Sequence, residues 1–244
     1  ETHHRSDSDT TFICLLIFRS IMCGRFSQSR DAVLAACRAM GIDPPEASDE
    51  EAEEGPDPEE HSDRMDSARR LLRDNYNLSP GMEATIIVHE GKELKLKRKV
   101  WGLIPIPGTE RSPLPTGMSQ HFSNLMFNAR SDEGLKPTFQ RLLKSRRTCL
   151  VPMDGFFEWK QEQGQKKKQP YFVHTEPMLV VGLWTSVATG RPMDSTLDTF
   201  TLLTTAACKS LQWLHHRMPV ISNDRTWLES THPKTPVAIT DKLE

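Results

Sequence analysis

No stretch of this 244-residue chain approaches the roughly 18 consecutive apolar residues from which a membrane-spanning helix is built, and no membrane partner is expected. The apolar run Phe12 to Phe18 lacks the flanks of a secretory signal: Asp7 and Asp9 precede it, and Arg19-Ser20-Ile21-Met22 follows. Cysteine is scarce and scattered. The five, Cys14, Cys23, Cys37, Cys149 and Cys208, are odd in number and form no Cys-x-x-Cys pair, which points away from a disulfide framework and from zinc. A reducing compartment is the simpler reading, and neither metal nor cofactor is expected. Positive charge is missing from Asp43 to Asp63, where 11 acidic residues stand without one Lys or Arg. There is no internal repeat and no regular βαβ rhythm.

What is present suits one globular domain with some loose sequence: 36% of residues are hydrophobic and 26% charged. Outside the acidic segment, 31 basic residues face 22 acidic ones, a balance compatible with a polyanionic partner. Residues 43–63 cannot bury apolar surface and are expected to be a disordered insert. Residues 1–21 are expected to be a non-native or processed leader. That leaves one domain over 22–244. Pro105 to Gln120, rich in Pro, Gly, Ser and Thr, is expected to be a mobile surface loop. Helices are expected at Arg30–Met40, Ser67–Arg73, Lys136–Leu143, Cys208–Leu214 and Asp224–Glu229. Strands are expected at Ala84–His89, Leu94–Trp101, Thr148–Met153, Tyr171–His174, Met178–Trp184 and Thr199–Thr205. Their mixture predicts an α+β fold with a mostly antiparallel sheet.

Four constellations carry chemistry. In Met22-Cys23-Gly24-Arg25-Phe26, a start at Met22 with removal of the methionine makes Cys23 the first residue. Its α-amine, with a reference pKa of about 7.7–8.0, is then partly neutral and can attack an aldehyde to give a Schiff base, on which the neighbouring thiolate closes. The plainer alternative is a small buried side chain. In Phe127-Asn128-Ala129-Arg130-Ser131-Asp132, Asn128 can hold an amine or a sugar oxygen and Arg130 a phosphate; a strand-end asparagine beside a surface arginine is the alternative. In Asp154-Gly155-Phe156-Phe157-Glu158-Trp159, Glu158 among aromatics suits acid–base work, unless the rings are core and Glu158 faces solvent. In Leu214-His215-His216-Arg217-Met218-Pro219, a histidine can shuttle protons. Adjacent histidines diverge on a helix or strand and no third ligand stands nearby, so no metal site is expected. Lys166-Lys167-Lys168 reads as a solvated turn or a phosphate contact.

The order of these motifs, with Tyr76-Asn77-Leu78-Ser79-Pro80 and Trp101-Gly102-Leu103-Ile104-Pro105 between the first two, resembles the SOS-response-associated peptidase family, its vertebrate members above all. The resemblance implies a single domain on a curved, barrel-like, mostly antiparallel sheet with flanking helices. It implies a sensor of abasic sites in single-stranded DNA that crosslinks to the ring-opened sugar as a thiazolidine. Cys23 would be the nucleophile, Asn128 would orient the amine or sugar, Glu158 would move protons, and His215 would assist ring opening. Arg25, Arg130 and Arg217 would contact phosphates, Asn77 and Pro80 would line the DNA cleft, and Trp101 would stack on or wedge beside bases. Autoproteolysis ahead of the cysteine, lyase-type chemistry, a nuclear location, replication-fork partners and a monomeric state are further implications. The chain departs from the pattern in its leader, its acidic insert, the lack of aromatics after Pro105 and its early end at Glu244, short of the C-terminal segment that the resemblance implies, with Pro236 to Thr240 expected to begin that last strand. A reader of modified cytosine and a thiol peptidase acting on proteins are the competing readings.

Overall fold

The computed structural model describes residues 24–45, 66–104, 126–132, 134–188, 196–222 and 224–229. Apolar side chains on both faces of the strands set the architecture. In β3 (Glu83–Glu90), Ala84, Ile86 and Val88 enter one buried cluster and Ile87 enters another. In β6 (Thr148–Lys160), Cys149, Val151 and Met153 join the first cluster and Leu150 the second. Successive side chains of a strand point to opposite faces, so strands of this kind must be covered on both sides.

The pairing shows how. β3 pairs with β4 (Glu93–Trp101) and with β6; β6 pairs with β7 (Gln169–Ala188), β7 with β8 (Thr196–Ala206), and β8 returns to β4. These five strands close into a barrel. The closing seam is short and parallel, Val100 beside Thr199 and Trp101 beside Phe200; the other contacts of the ring are antiparallel. The first cluster fills the interior. The second lies outside, under α1 (Arg30–Met40), α2 (Pro137–Lys144) and α3 (Thr226–Glu229), which contribute Ala36, Met40, Phe139, Trp227 and Leu228.

Two strand pairs run past the ring. The far halves of β6 and β7 leave it together, and β1 (Arg25–Gln28) adds to β6 with β2 (Asn75–Leu78) beyond. The far end of β8 is flanked by β5 (Asn128–Arg130), parallel to it, and by β9 (Arg217–Pro219), antiparallel. Buried polar bonds fix these additions. Gln28 accepts from the Thr85 amide (2.8 Å) and donates to the Thr85 and Pro152 carbonyls (2.8 Å each). Asp154 accepts from Ser27 Oγ (2.6 Å), the Ser29 amide (2.8 Å) and Ser29 Oγ (2.5 Å). Ser29 in turn caps α1 by accepting from the Ala32 amide. Asp154 therefore ties the start of α1 to the middle of β6.

The α+β class, the barrel-like sheet and its mainly antiparallel pairing hold. Differences lie in the joints. Tyr171–His174 and Met178–Trp184, expected as separate strands, are parts of the single long β7. Cys208–Leu214, expected as a helix, has a short 3₁₀ turn at Lys209–Leu211. Ser67–Arg73 is helical over residues 66–71. The leader, residues 46–63 of the acidic insert, the Pro105–Gln120 loop and the expected strand at Pro236–Thr240 lie outside the described residues.

Candidate active site

The site forms where β6 and β7 leave the barrel. Between Met153 and Gly155 the β6–β7 register shifts by a bulge: Met153 faces Met178, and Gly155 faces His174. The bulge reverses the alternation. Before it, Cys149, Val151 and Met153 point inward; after it Phe156 does, and so does Glu158. Without the bulge Phe157 would face the interior and Glu158 the solvent. Gly155 is obligatory at this point, because a Cβ there would stand 2.5 Å from the Val173 carbonyl oxygen and 2.6 Å from the Phe172 ring.

Glu158 is consequently buried, with 4% of its surface exposed, and its Oε1 accepts from the Trp159 amide at 3.1 Å. The solvent-facing alternative for Glu158 is overturned. Phe157 instead lies on the outer face in a ring ladder, 4.8 Å from Phe172 and 6.3 Å from Trp159. β1 runs antiparallel along this segment, with Arg25 opposite Phe157. Gly24 continues that line toward Glu158. Cys23 lies outside the described residues.

His215 approaches the same mouth from the turn before β9. Burial lowers its pKa below the usual histidine value, and the nearby Glu158 carboxylate opposes that by favouring the charged ring, while His216 and Lys168 disfavour it. Its Nδ1 is 3.1 Å from the Arg217 amide nitrogen and 3.3 Å from the Arg217 carbonyl oxygen. One ring nitrogen thus meets a donor and an acceptor on the same residue. The amide serves the tautomer protonated at Nε2, and the carbonyl serves the tautomer protonated at Nδ1 and the imidazolium. Nε2 can therefore give or take a proton without losing the support at Nδ1. The His215 and His216 rings lie 4.3 Å apart rather than diverging, because they sit in a turn. Among the described residues, no group of three or more His, Cys, Asp or Glu could hold a metal ion.

The remaining expected site residues divide. Arg25 is exposed and its Nη1 donates to Asn77 Oδ1 at 2.8 Å, so these two form one surface patch on β1 and β2. Asn128 opens β5, half-buried beside Leu202, and Arg130 is exposed on the same strand. Pro80 precedes a turn whose Gly81 amide donates to the Trp101 carbonyl at 2.7 Å. Trp101 itself cannot stack on a base: it is 0% exposed, 4.9 Å from the Phe26 ring, and its Nε1 donates to the Phe127 carbonyl. It is a core residue at the barrel's closing seam. Arg217 is also corrected. Its guanidinium, 8% exposed, grips both Asp132 oxygens at 2.7 and 3.1 Å and donates to the Thr204 carbonyl at 3.0 Å. It joins β9 across the end of β8 to the segment after β5, and so holds the backbone that supports His215. Asp154 and Gly155, quoted in their motif without a role, are the residues that aim Glu158.

A shallow hollow of about 550 Å³ lies at the other end of the barrel, lined in part by Lys97, Lys99 and Trp184. Its lysines are already ion-paired, Lys97 with Glu90 and Lys99 with Asp198.

A closed barrel with a buried carboxylate and a histidine at its mouth, and β1 running beside them, makes this a small α+β barrel protein with a composite site among the described residues. The family model described as SOS response associated peptidase (SRAP) matches residues 22–243, and the chain belongs to that family. Over 207 residues it is 28% identical to the abasic site processing protein YMR114C of Saccharomyces cerevisiae, a match covering 82% of this chain and 52% of the relative. It is 31% identical over 164 residues to the abasic site processing protein YoqW of Bacillus subtilis, covering 66% and 67%. The chain thus spans about half the length of the yeast protein. A crystal structure of a protein from Bacteroides thetaiotaomicron shares the fold with a TM-score of 0.60 at 22% identity, covering 84% of this chain and 81% of that one.

Proposed function

We propose that this protein recognises abasic sites in single-stranded DNA and crosslinks to them through Cys23. The observation that carries the reading is the buried Glu158 beside His215, reached by the strand that follows Cys23. The abasic-site names of the relatives support the same substrate. An abasic nucleotide exposes an aldehyde when its sugar ring opens. The α-amine of an N-terminal Cys23 adds to it and water leaves, giving an imine. The thiolate then adds to the imine carbon, the nitrogen takes up a proton, and a thiazolidine results. His215 supplies and removes protons during ring opening and closure, Glu158 stabilises the cationic imine, and Asn128 orients the amine or the sugar. Arg25, Asn77 and Arg130 contact the DNA backbone, with Pro80 near them in the cleft. Removal of the segment ahead of Cys23 by the same site, and action at nuclear DNA, belong to this reading.

Two forms test it: the full chain, and one in which Met22 is the initiator so that Cys23 becomes terminal. Each is mixed with a single-stranded oligonucleotide carrying one abasic site, then run on a denaturing gel with intact-mass analysis. A shifted band that requires a free Cys23 amine is expected. If neither folded form crosslinks, the covalent reading fails, and reversible binding to DNA containing 5-hydroxymethylcytosine becomes the reading to measure.

A further inference from the structure

The aromatic residue expected to meet DNA bases, Trp101, is buried, and a different one stands at the site. Trp213 is 51% exposed. It sits two residues before His215 in a turn anchored by the buried Leu214, where the Leu214 and His215 amides both donate to the Leu211 carbonyl at 3.0 Å. Its ring lies 5.0 Å from Tyr171 at 87°. Tyr171 is the residue directly opposite Glu158 across the β6–β7 pair, on the same face of the sheet. Lys160, two residues beyond Glu158 and on that face too, places its ammonium 4.9 Å from the Trp213 ring centroid. The hairpin that joins β6 to β7 carries Lys166, Lys167 and Lys168, and Lys168 is close enough for its charge to act on His215. One carboxylate joins the group: Glu162 pairs with Lys160 at 3.4 Å and accepts from the Tyr171 hydroxyl at 3.3 Å. With Glu158 itself, two carboxylates stand against four lysines.

We infer that Trp213, backed by Tyr171 and bordered by Lys160 and the Lys166–Lys168 turn, is a stacking platform for the nucleobase next to the abasic nucleotide. The inference rests on the DNA reading above and names what that site grips besides the lesion. A half-open indole contributes little to the barrel core, yet it sits beside the reacting pair among lysines, the combination by which single strands are held: cations for the backbone and an aromatic face for a base. Stacking needs no particular base, so the platform adds affinity without adding sequence preference. It also selects for single strands, because a base stacked on Trp213 cannot remain in a duplex.

The test uses the full chain and oligonucleotides in which a tetrahydrofuran replaces the abasic sugar. This analogue lacks the aldehyde and cannot crosslink, so the result is independent of whether Cys23 reacts. Binding is read by fluorescence anisotropy of a labelled strand. Further strands lack the base on the 5′ side, on the 3′ side, or on both. The wild-type protein is expected to lose about five- to tenfold in affinity when one particular flanking base is absent, the low end of what one stacked base contributes. Trp213→Ala is expected to lose a similar factor on the strand with both bases and to be insensitive to removing either; Trp213→Phe restores most of the sensitivity. The inference is overturned if the wild-type protein binds all four strands equally, or if Trp213→Ala weakens binding to all of them by the same factor. Failure of the wild-type chain to crosslink true abasic DNA, with base-dependent binding intact, would instead remove the covalent reading and leave this one standing.

Discussion

Replacing Arg217 by Ala separates two roles that its motif allows. As a phosphate ligand it would contribute to DNA affinity and little to stability. In the structure it is a clamp, with its guanidinium 8% exposed and bound to both oxygens of Asp132. Its loss removes two charge-assisted bonds and leaves the Asp132 carboxylate, 29% exposed, to be rehydrated. The Thr204 carbonyl keeps the Ser131 amide at 2.9 Å and Ser131 Oγ at 3.1 Å, so it is not left bare. Breaking a buried pair from one side costs about 3–5 kcal/mol; with one partner able to reach water, about 2–3 kcal/mol is expected here. Urea denaturation of Arg217→Ala, Asp132→Ala and the double variant measures it, and the double variant should be less destabilised than the sum of the singles by about 1–2 kcal/mol. The pair also has a pH signature. Hydrogen bonds from Arg217 hold the Asp132 carboxyl below its ordinary value. A carboxyl depressed in the folded state stabilises fully above its unfolded pKa of about 3.9, and that contribution disappears as pH falls through the lower folded value. Arg217→Ala should lack this acid-side loss. The clamp is refuted if Arg217→Ala is as stable as the parent while the salt dependence of its DNA binding flattens by about 0.7, the slope of one lost single-strand phosphate contact.

Three other perturbations follow from the same geometry. Gly155→Ala drives a methyl into the Val173 carbonyl oxygen and should cost at least about 2 kcal/mol by urea denaturation and slow crosslinking as Glu158 loses its aim; unchanged stability would contradict the bulge. Glu158→Gln should slow single-turnover crosslinking about 10²-fold or more. It also removes the charge that favours protonated His215, so the acid limb of the rate–pH profile should move to lower pH; a limb that stays in place would separate the two groups. Trp101→Ala should cost about 3–5 kcal/mol in urea as a core truncation; full stability with lost DNA binding would return it to the DNA surface.

The barrel strands were legible because their pattern is local. β3, β4, the first half of β6 and most of β8 stand out as apolar or alternating runs, and α1 lies between a capping Ser29 and Gly41, whose left-handed φ of 63° suits glycine. The motif strands β1, β2, β5 and β9 were not legible as strands. Each is only three or four residues long and exists because a longer strand offers it an edge. Arg217 fails for a related reason: a guanidinium at a strand end reads as a surface cation until Asp132, far off in the chain, comes to meet it. Trp101 looks like a base platform until the barrel closes over it, an event that depends on two residue pairs between β4 and β8. Glu158 is the most instructive case. Counted from Cys149 at a strict period of two, it falls on the solvent face. One bulge after Met153 moves it inside, and the cue is Gly155, which alone accepts the approach of the Val173 backbone. The carboxylate that the proposed chemistry uses is therefore delivered by an irregularity in the strand rather than by its pattern. The same shift puts Tyr171 and Lys160 on the face of Glu158, where they meet Trp213. That one register irregularity, two more residues on β7 than on β6, thus sets both the proposed acid–base pair and the surface beside it.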